Sequence, residues 1–298
     1  MKRIAFIINP ISGNGTQADE ITYELLQTYF SNKEYEVRRQ IIERKGGTSE
    51  LVQQATDWNA DIVVACGGDG TINEVARHLV ETNMTLGIIP RGSGNGLASH
   101  LKIPKQIGDC LHIIKNGLSI SIDTATAGDI RFFSNCGIGF PAELIHQYEM
   151  IPQRKLSGYF KAGMASLKSI SNAQELRIRC NGQEVTSRHL FISNSNRMGY
   201  NMTLGPAASL RDGLLDVQII PYRTLLGFGV FGMASLIRKG HLLRKVSNVL
   251  SANIEIEGSH PLQIQADGEF HVLEQSKITI INQPASLRVL VLNENRIP

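Results

Sequence analysis

Gly67-Gly68-Asp69-Gly70-Thr71-Ile72-Asn73-Glu74 follows directly on the apolar run Ile62-Val63-Val64-Ala65-Cys66. A short continuous apolar run that stops at glycines reads as a buried strand, and the residues after it enter a helix near Thr71. Glycines let a backbone pass close to a bulky ligand. A helix start adds unpaired N–H donors and a partial positive charge, both of which favour phosphate. Asp69 is an acid in that anion-friendly place, which suits a metal ion or proton acceptance better than phosphate contact alone. The stretch points to phosphoryl transfer.

Working outward, strand patterns at residues 3–8, 37–42, 62–65 and 86–89 alternate with helical patterns at 17–30, 49–58 and 72–80. This alternation predicts an α/β domain with a parallel sheet and right-handed crossovers. Ligands of such sheets gather at the carboxyl ends of the strands. Asn9, Gly67 to Thr71 and Pro90 to Gly96 all fall there, so three polar, glycine-rich loops converge on one crevice. After Asp123 the pattern changes to short β-like segments at 131–133, 176–180, 189–192, 215–220, 254–256 and 277–281, with helices predicted at 159–171 and 224–239. Asn181-Gly182 is a hairpin turn signal. The second half therefore reads as a β-rich antiparallel sandwich with added helices, and the expected division is 1–122 and 123–298, the last strand returning to either domain.

Composition bounds the class. The chain has 298 residues, 42% hydrophobic and 19% charged, an ordinary globular balance with room for two domains. A net charge of +3 permits attraction to an anionic surface without demanding it, and no nucleic acid is expected as a partner. Cys66, Cys110, Cys136 and Cys180 form no C-x-x-C pair and read as buried free thiols in a reducing cytoplasm. The apolar start ends at Asn9-Pro10 with no small-residue cleavage site, which suits a first strand better than a signal peptide. No stretch approaches a membrane-spanning length; the longest apolar run, 225–237, is interrupted by glycines.

The first loop, Asn9-Pro10-Ile11-Ser12-Gly13, is on its own compatible with a plain strand-to-helix turn. The third, Pro90-Arg91-Gly92-Ser93-Gly94-Asn95-Gly96-Leu97, leaves room for phosphate or ribose oxygens, yet Leu97 stands where a dinucleotide fingerprint needs its third glycine. No G-K-[ST] follows any glycine run, so a Walker A loop is absent. Asp267-Gly268 suits a hairpin turn, whereas Glu269 is not required by one. Asp212-Gly213 has the same ambiguity, and Asp123 closes an alternating strand.

Taken together, Asn9 to Gly13, Gly67 to Glu74, Gly92 to Ala98 and Asp267 to Glu269 resemble, in order and separation, the lipid kinase superfamily of soluble bacterial diacylglycerol kinases, sphingosine kinases and ceramide kinases. The likeness covers nearly the whole chain. The resemblance implies an NAD-kinase-like nucleotide domain and a β-rich lipid domain with the active site in the cleft. Asn9, Pro10, Ser12, Gly13, Gly67, Gly68, Gly70, Thr71, Asn73, Gly92, Ser93, Gly94 and Asn95 are then expected to contact ATP. Asp69 and Asp123 match the acids of a Mg2+ and water network, and Glu269 the general base for the lipid hydroxyl. Asp212, with the carbonyls of Ser209 and Leu214, matches a structural magnesium site.

The chain departs from the family at Gly96, where many bacterial members have an acid, and at Ile42, where an adenosine-side threonine is usual. Glu143 loosely matches the acid that meets the lipid amine in sphingosine kinases, and otherwise reads as a helix-start glutamate. The apolar segment Leu225, Leu226, Phe228, Val230, Phe231, Met233 and Leu236, followed by Arg238, Lys239, His241, Arg244 and Lys245, is either core or an interfacial helix. The expected partners are a lipid substrate at a membrane surface, with peripheral contact at the inner face, and a second copy of the chain. A kinase of a soluble alcohol or nucleotide, or a non-catalytic sensor, are the alternatives.

Overall fold

The computed structural model describes residues 1–298 apart from 13–19, 32, 45, 93, 152–155, 167–172, 197–204, 206–207, 223, 237–238, 244–245 and 294–298. Two compact units emerge, Met1–Ile122 with Ala285–Pro298, and Asp123–Pro284.

The first unit opens on β1 (Lys2–Ile8), buried from Ile4 onward. It is followed by α1 (Tyr23–Tyr29), whose first turn is capped by the Thr22 hydroxyl accepting the Leu25 N–H. Next come β2 (Tyr35–Ile41), α2 (Thr48–Asp57), β3 (Ile62–Gly67), α3 (Asp69–Leu79), β4 (Thr85–Pro90), α4 (Gly96–His100) and α5 (Ile107–Asn116). The sheet is parallel in the order β2-β1-β3-β4. Every residue of β3 and β4 is buried, so both strands read as continuous apolar runs rather than alternations.

Strand β5 (Leu118–Ala127) leads from the first unit into the second, where it forms a hairpin with β6 (Ile130–Phe132). There follow β7 (Asn135–Ile138), α6 (Phe140–Glu149), α7 (Leu156–Ser166), β8 (Leu176–Cys180), β9 (Gln183–Ser187), β10 (His189–Ser193) and β11 (Leu215–Ile220). The rest comprises α8 (Leu225–Leu236), β12 (Ser247–Ser251), β13 (Asn253–Glu257), β14 (Gln263–Ala266), β15 (Glu269–Val272) and β16 (Lys277–Val291). One antiparallel sheet runs β12-β11-β10-β7-β14-β15. A second is built from β9, β8, β13 and the first residues of β16. Ile178, Ile254 and Ile256 of this second sheet share one core with Leu190, Ile192, Val217 and Ile264 of the first, so the unit is a sandwich.

The end of β16 leaves the sandwich, and its Arg288 and Val289 lie parallel beside β4 in the first unit. The final segment is thus the tail of one fifteen-residue strand rather than a separate short one. Other differences from the sequence pattern are local. Helix α3 begins at Asp69, earlier than Thr71, so the acid sits inside the first turn. Helix α5 was not among the expected elements, although Cys110, Leu111, Ile113 and Ile114 give it a buried face. Asn181 and Gly182, with φ of 51° and 74°, make the expected two-residue turn between β8 and β9.

Candidate active site

In the first unit the three loops that follow β1, β3 and β4 leave adjacent parallel strands at the same end. Asn9 ties the first loop to the second, its Nδ2 donating to Thr71 Oγ1 at 2.9 Å and its backbone N–H to the Cys66 carbonyl at 3.0 Å. Its Oδ1 accepts the Ile11 N–H at 3.0 Å, which shapes the turn containing Pro10. The Arg91 N–H donates to the Gly67 carbonyl at 2.8 Å, joining the second loop to the third.

Glycine is required where these loops meet. A Cβ on Gly67 would lie 2.6 Å from Thr71 Cβ, and one on Gly92 would lie 2.8 Å from Gly68 Cα. Gly70 is different: a Cβ there meets nothing within 4 Å, and its φ is not left-handed. Neither the fold nor the backbone of Gly70 asks for glycine, so its missing side chain leaves open space at the start of α3. That helix has Gly68 at its N-cap and no side-chain capping bond. The N–H groups of a helix's first turn lack intrahelical partners and are potential anion donors.

Asp69 holds the third loop. Its two oxygens accept the N–H groups of Asn95 and Gly96, each at 2.7 Å. Burial pushes its carboxyl above the ordinary carboxylate range, while these amides pull it back. Asn95 is buried with φ of 53°, and its side chain closes a ring with Gly92, accepting its N–H at 3.0 Å and donating to its carbonyl at 2.5 Å. An asparagine tolerates that left-handed backbone because its side chain bonds locally. Thr71 and Asn73 are buried in α3, Ser12 lies in the first loop, and Gly94 precedes Asn95. Gly13 and Ser93 lie outside the described residues. Thr48, not read as notable in the sequence, donates to Glu74 Oε2 at 2.8 Å and fixes α2 to α3.

In the second unit the acids divide into two kinds. Asp267 and Gly268 form the β14–β15 turn, with φ of 50° and 86°. The Asp267 carboxylate accepts three amides, from Phe133 at 2.7 Å, Ser134 at 2.7 Å and Asn135 at 3.0 Å. Glu269, two residues on, is exposed at the start of β15. Asp123 is buried, and its Oδ2 accepts the Gly213 N–H at 2.7 Å while its own N–H donates to the Leu210 carbonyl at 2.7 Å. The structure thereby places Asp123 against the same turn that carries Ser209, Asp212 and Leu214. Asp212 is exposed and accepts the Leu214 N–H at 3.0 Å.

Two residues of this neighbourhood escaped the sequence reading. Asn194 is fully buried, and its Nδ2 donates to both the Asp123 carbonyl, at 3.0 Å, and the Phe133 carbonyl, at 2.9 Å. It couples the Asp123 strand to the turn that Asp267 holds. The signal available was Ser193-Asn194-Ser195-Asn196, a polar run directly after an apolar strand. Asp216 is buried in β11, and burial, reinforced by the nearby Asp212 charge, pushes its carboxyl up to about 6.

Glu143 stands in the first turn of α6, accepts Gln147 Nε2 at 2.8 Å, and lines a cavity of about 270 Å³ with Gln174, Arg188 and His260. Segment 225–237 turns out to be both core and surface: Phe228 and Phe231 are buried, while Leu226, Val230 and Met233 are exposed. Its neighbours Ile237, Arg238, Arg244 and Lys245 lie outside the described residues.

Comparison with known proteins agrees with this fold. Residues 3–127 match the diacylglycerol kinase catalytic domain, and residues 139–291 match the YegS C-terminal NAD kinase beta sandwich-like domain. A Yersinia enterocolitica protein named "Probable lipid kinase YegS-like" is 30% identical, with 76% of this chain and 77% of that protein aligned. The diacylglycerol kinase of Bacillus subtilis is 28% identical over 91% of this chain and 90% of its own. A crystal structure of a diacylglycerol kinase from Bacillus anthracis superposes with a TM-score of 0.74 at 20% identity, covering 99% of this chain and 98% of that one. The class is therefore a phosphotransferase of the kinase type. The chain belongs to the diacylglycerol kinase catalytic domain family, among the YegS-like lipid kinases.

Proposed function

We propose that this lipid kinase transfers the γ-phosphate of ATP to a hydroxyl of a diacylglycerol-like or sphingoid lipid. The observation that carries the reading is the open space at Gly70, beside a helix start with no side-chain cap. A polyphosphate is the ligand such a helix start suits, since the first-turn amides are donors and no Cβ at Gly70 stands in its way. Asn9, Pro10, Ser12, Gly67, Gly68, Thr71, Asn73, Gly92, Gly94 and Asn95 build or line the loops around it; Gly13 and Ser93 complete the set by sequence.

Glu269 supports the second half of the reaction. Its partner in the motif, Asp267, accepts three amides, whereas Glu269 is exposed at the start of β15, where solvent and a lipid hydroxyl can reach it. It takes the proton of the lipid hydroxyl as that oxygen bonds to the γ-phosphorus. The bond from phosphorus to the β–γ bridging oxygen breaks, and ADP leaves with the electron pair. Proton removal of this kind is worth about 10²–10⁴-fold. Asp69 and Asp123 would each serve to orient water bound to Mg2+. Asp212 and the carbonyls of Ser209 and Leu214 form an all-oxygen donor set of the sort Mg2+ prefers, and Asp216 adds negative charge to the same turn. When bound, the ion neutralises part of the phosphate charge at the first site and braces the turn at the second.

The diacylglycerol reading draws on the named relatives. The sphingoid reading draws on Glu143, whose carboxylate could meet an amine in the 270 Å³ cavity. Four unpaired buried cysteines suit a cytoplasmic site of action, and no helix among the described residues is long and apolar enough to cross a membrane. The test is labelled ATP with Mg2+ and a panel of monoacylglycerol, diacylglycerol, sphingosine, ceramide and undecaprenol. Label in one of these lipids is expected; none in any would refute the proposal.

A further inference from the structure

Helix α8, Leu225–Leu236, contains no charged residue, so a purely internal position would be the simple expectation for it. It is internal on one face only. Phe228 and Phe231 pack with Phe191, Ile220 and Val246 in an aromatic cluster, and the Phe228 ring stands edge-on to His189 at 4.7 Å. The opposite face carries Leu226, 79% exposed, Val230, 49% exposed, and Met233, 67% exposed. Gly229 sits between them with open space above it. These four positions fall at i, i+3, i+4 and i+7, one continuous helical stripe without a polar side chain. Leu242, just after the helix, is 66% exposed as well. An anchored helix that presents large aliphatic side chains to water marks an interaction site.

Charge identifies the occupant. From Val217 to Ile254 the sequence has five bases, Arg223, Arg238, Lys239, Arg244 and Lys245, and no Asp or Glu, in a chain whose whole net charge is only +3. Lys239 is exposed directly after the helix. A symmetric contact with a second copy would set this basic segment against its twin. An acidic lipid surface satisfies both halves at once, the apolar stripe entering the acyl boundary and the exposed Lys239 meeting headgroups in a segment whose sequence is basic throughout.

We infer that the Leu226, Val230 and Met233 face of α8 docks the protein on an anionic bilayer. The inference rests on the lipid kinase reading for its purpose and not for its measurement. The experiment is co-sedimentation of the full chain with vesicles of equal parts phosphatidylcholine and phosphatidylglycerol, against pure phosphatidylcholine. Wild type should sediment preferentially with the anionic vesicles, and less so as salt is raised. The double variant L226Q/M233Q should lose binding by about tenfold for each side chain. Lys239→Glu should lose it by at least about fivefold on anionic vesicles only. Both variants should still phosphorylate a water-dispersed short-chain lipid alcohol as wild type does. Undiminished sedimentation of the double variant overturns the inference, as does equal binding of wild type to neutral vesicles. Conversion of a dimer to a monomer by L226Q/M233Q would also overturn it, by making the face a contact between copies. Absence of phosphorylated lipid with vesicle binding still lost in the variants refutes the kinase reading alone.

Discussion

Replacing Asp267 by Asn should destabilise the sandwich unit without touching any group assigned to chemistry. In the wild type one carboxylate oxygen accepts Ser134 and Asn135, and the other accepts Phe133. Asparagine can keep its oxygen on the first pair but must present an NH2 group to the Phe133 N–H. One charge-assisted bond is lost outright, about 2 kcal/mol, and two others weaken to neutral bonds, about half a kcal/mol each or more. The sum is about 3 kcal/mol, which for a domain of this size lowers Tm by roughly 6–12 °C. Calorimetry is the suitable assay, since the single tryptophan, Trp58, reports on the other unit. Glu269→Gln is the control, because it is exposed and two residues away. It should keep Tm, within about 0.5 kcal/mol, and lose about 10²–10⁴ in turnover. An Asp267→Asn protein destabilised by less than about 1 kcal/mol would refute the reasoning. So would a Glu269→Gln protein with full turnover.

Gly70→Ala should fold normally, since its Cβ meets nothing; a raised KM for ATP in steady-state kinetics is expected, and an unchanged KM would remove the phosphate cradle. Gly67→Ala should instead fold poorly, because the new Cβ sits 2.6 Å from Thr71; thermal unfolding indistinguishable from wild type would show that α3 can shift to accept it. Asp216 gives a pH signature. Its folded-state carboxyl is raised from 3.8 to about 6, so the folded protein holds a proton that the unfolded chain releases. Stability from this group is present below about pH 4 and is lost as pH rises through 6, about 3 kcal/mol in all. In EDTA, Asp216→Asn should flatten the fall in stability between pH 4 and 7, and a slope equal to wild type in urea titrations would count against it. Asn194→Ala should leave the Asp123 and Phe133 carbonyls without their shared donor; a loss of about 2 kcal/mol, read by urea unfolding, is expected.

Much of the fold was legible because local and tertiary signals agree. Buried parallel strands leave continuous apolar runs, and Ile62 to Cys66 ends at a glycine that the fold demands. The two-residue turns at Asn181-Gly182 and Asp267-Gly268 need left-handed backbones, a need written in the residue types. Helix α5 carried its apolar spacing openly and was still passed over, since short apolar runs do not separate helix from strand by themselves. The long strand β16 was hidden for another reason. Residues 282–286, Asn-Gln-Pro-Ala-Ser, look like a loop between two strands, and their bonds reach partners distant in sequence: the Asn282 N–H donates to the Ala252 carbonyl, and the Ser286 carbonyl accepts the Glu81 N–H.

The residues of the candidate site stand out in the sequence, whereas the bonds they make do not. A motif acid reads as chemical from sequence alone, yet three of the four acids are occupied by amides. Asp69 holds Asn95 and Gly96, Asp123 holds Gly213, and Asp267 holds the 133–135 turn. Such bonds aim each carboxylate and also make it part of the fold, since removing it leaves amides without acceptors. Loss of activity in Asp69 or Asp123 variants therefore cannot by itself assign either residue to catalysis, because a displaced glycine loop or turn gives the same loss. Asn substitutions measured for both stability and turnover separate the two causes. Glu269 is exposed at the start of β15, so its substitution disturbs packing less than that of the buried acids and tests chemistry more directly.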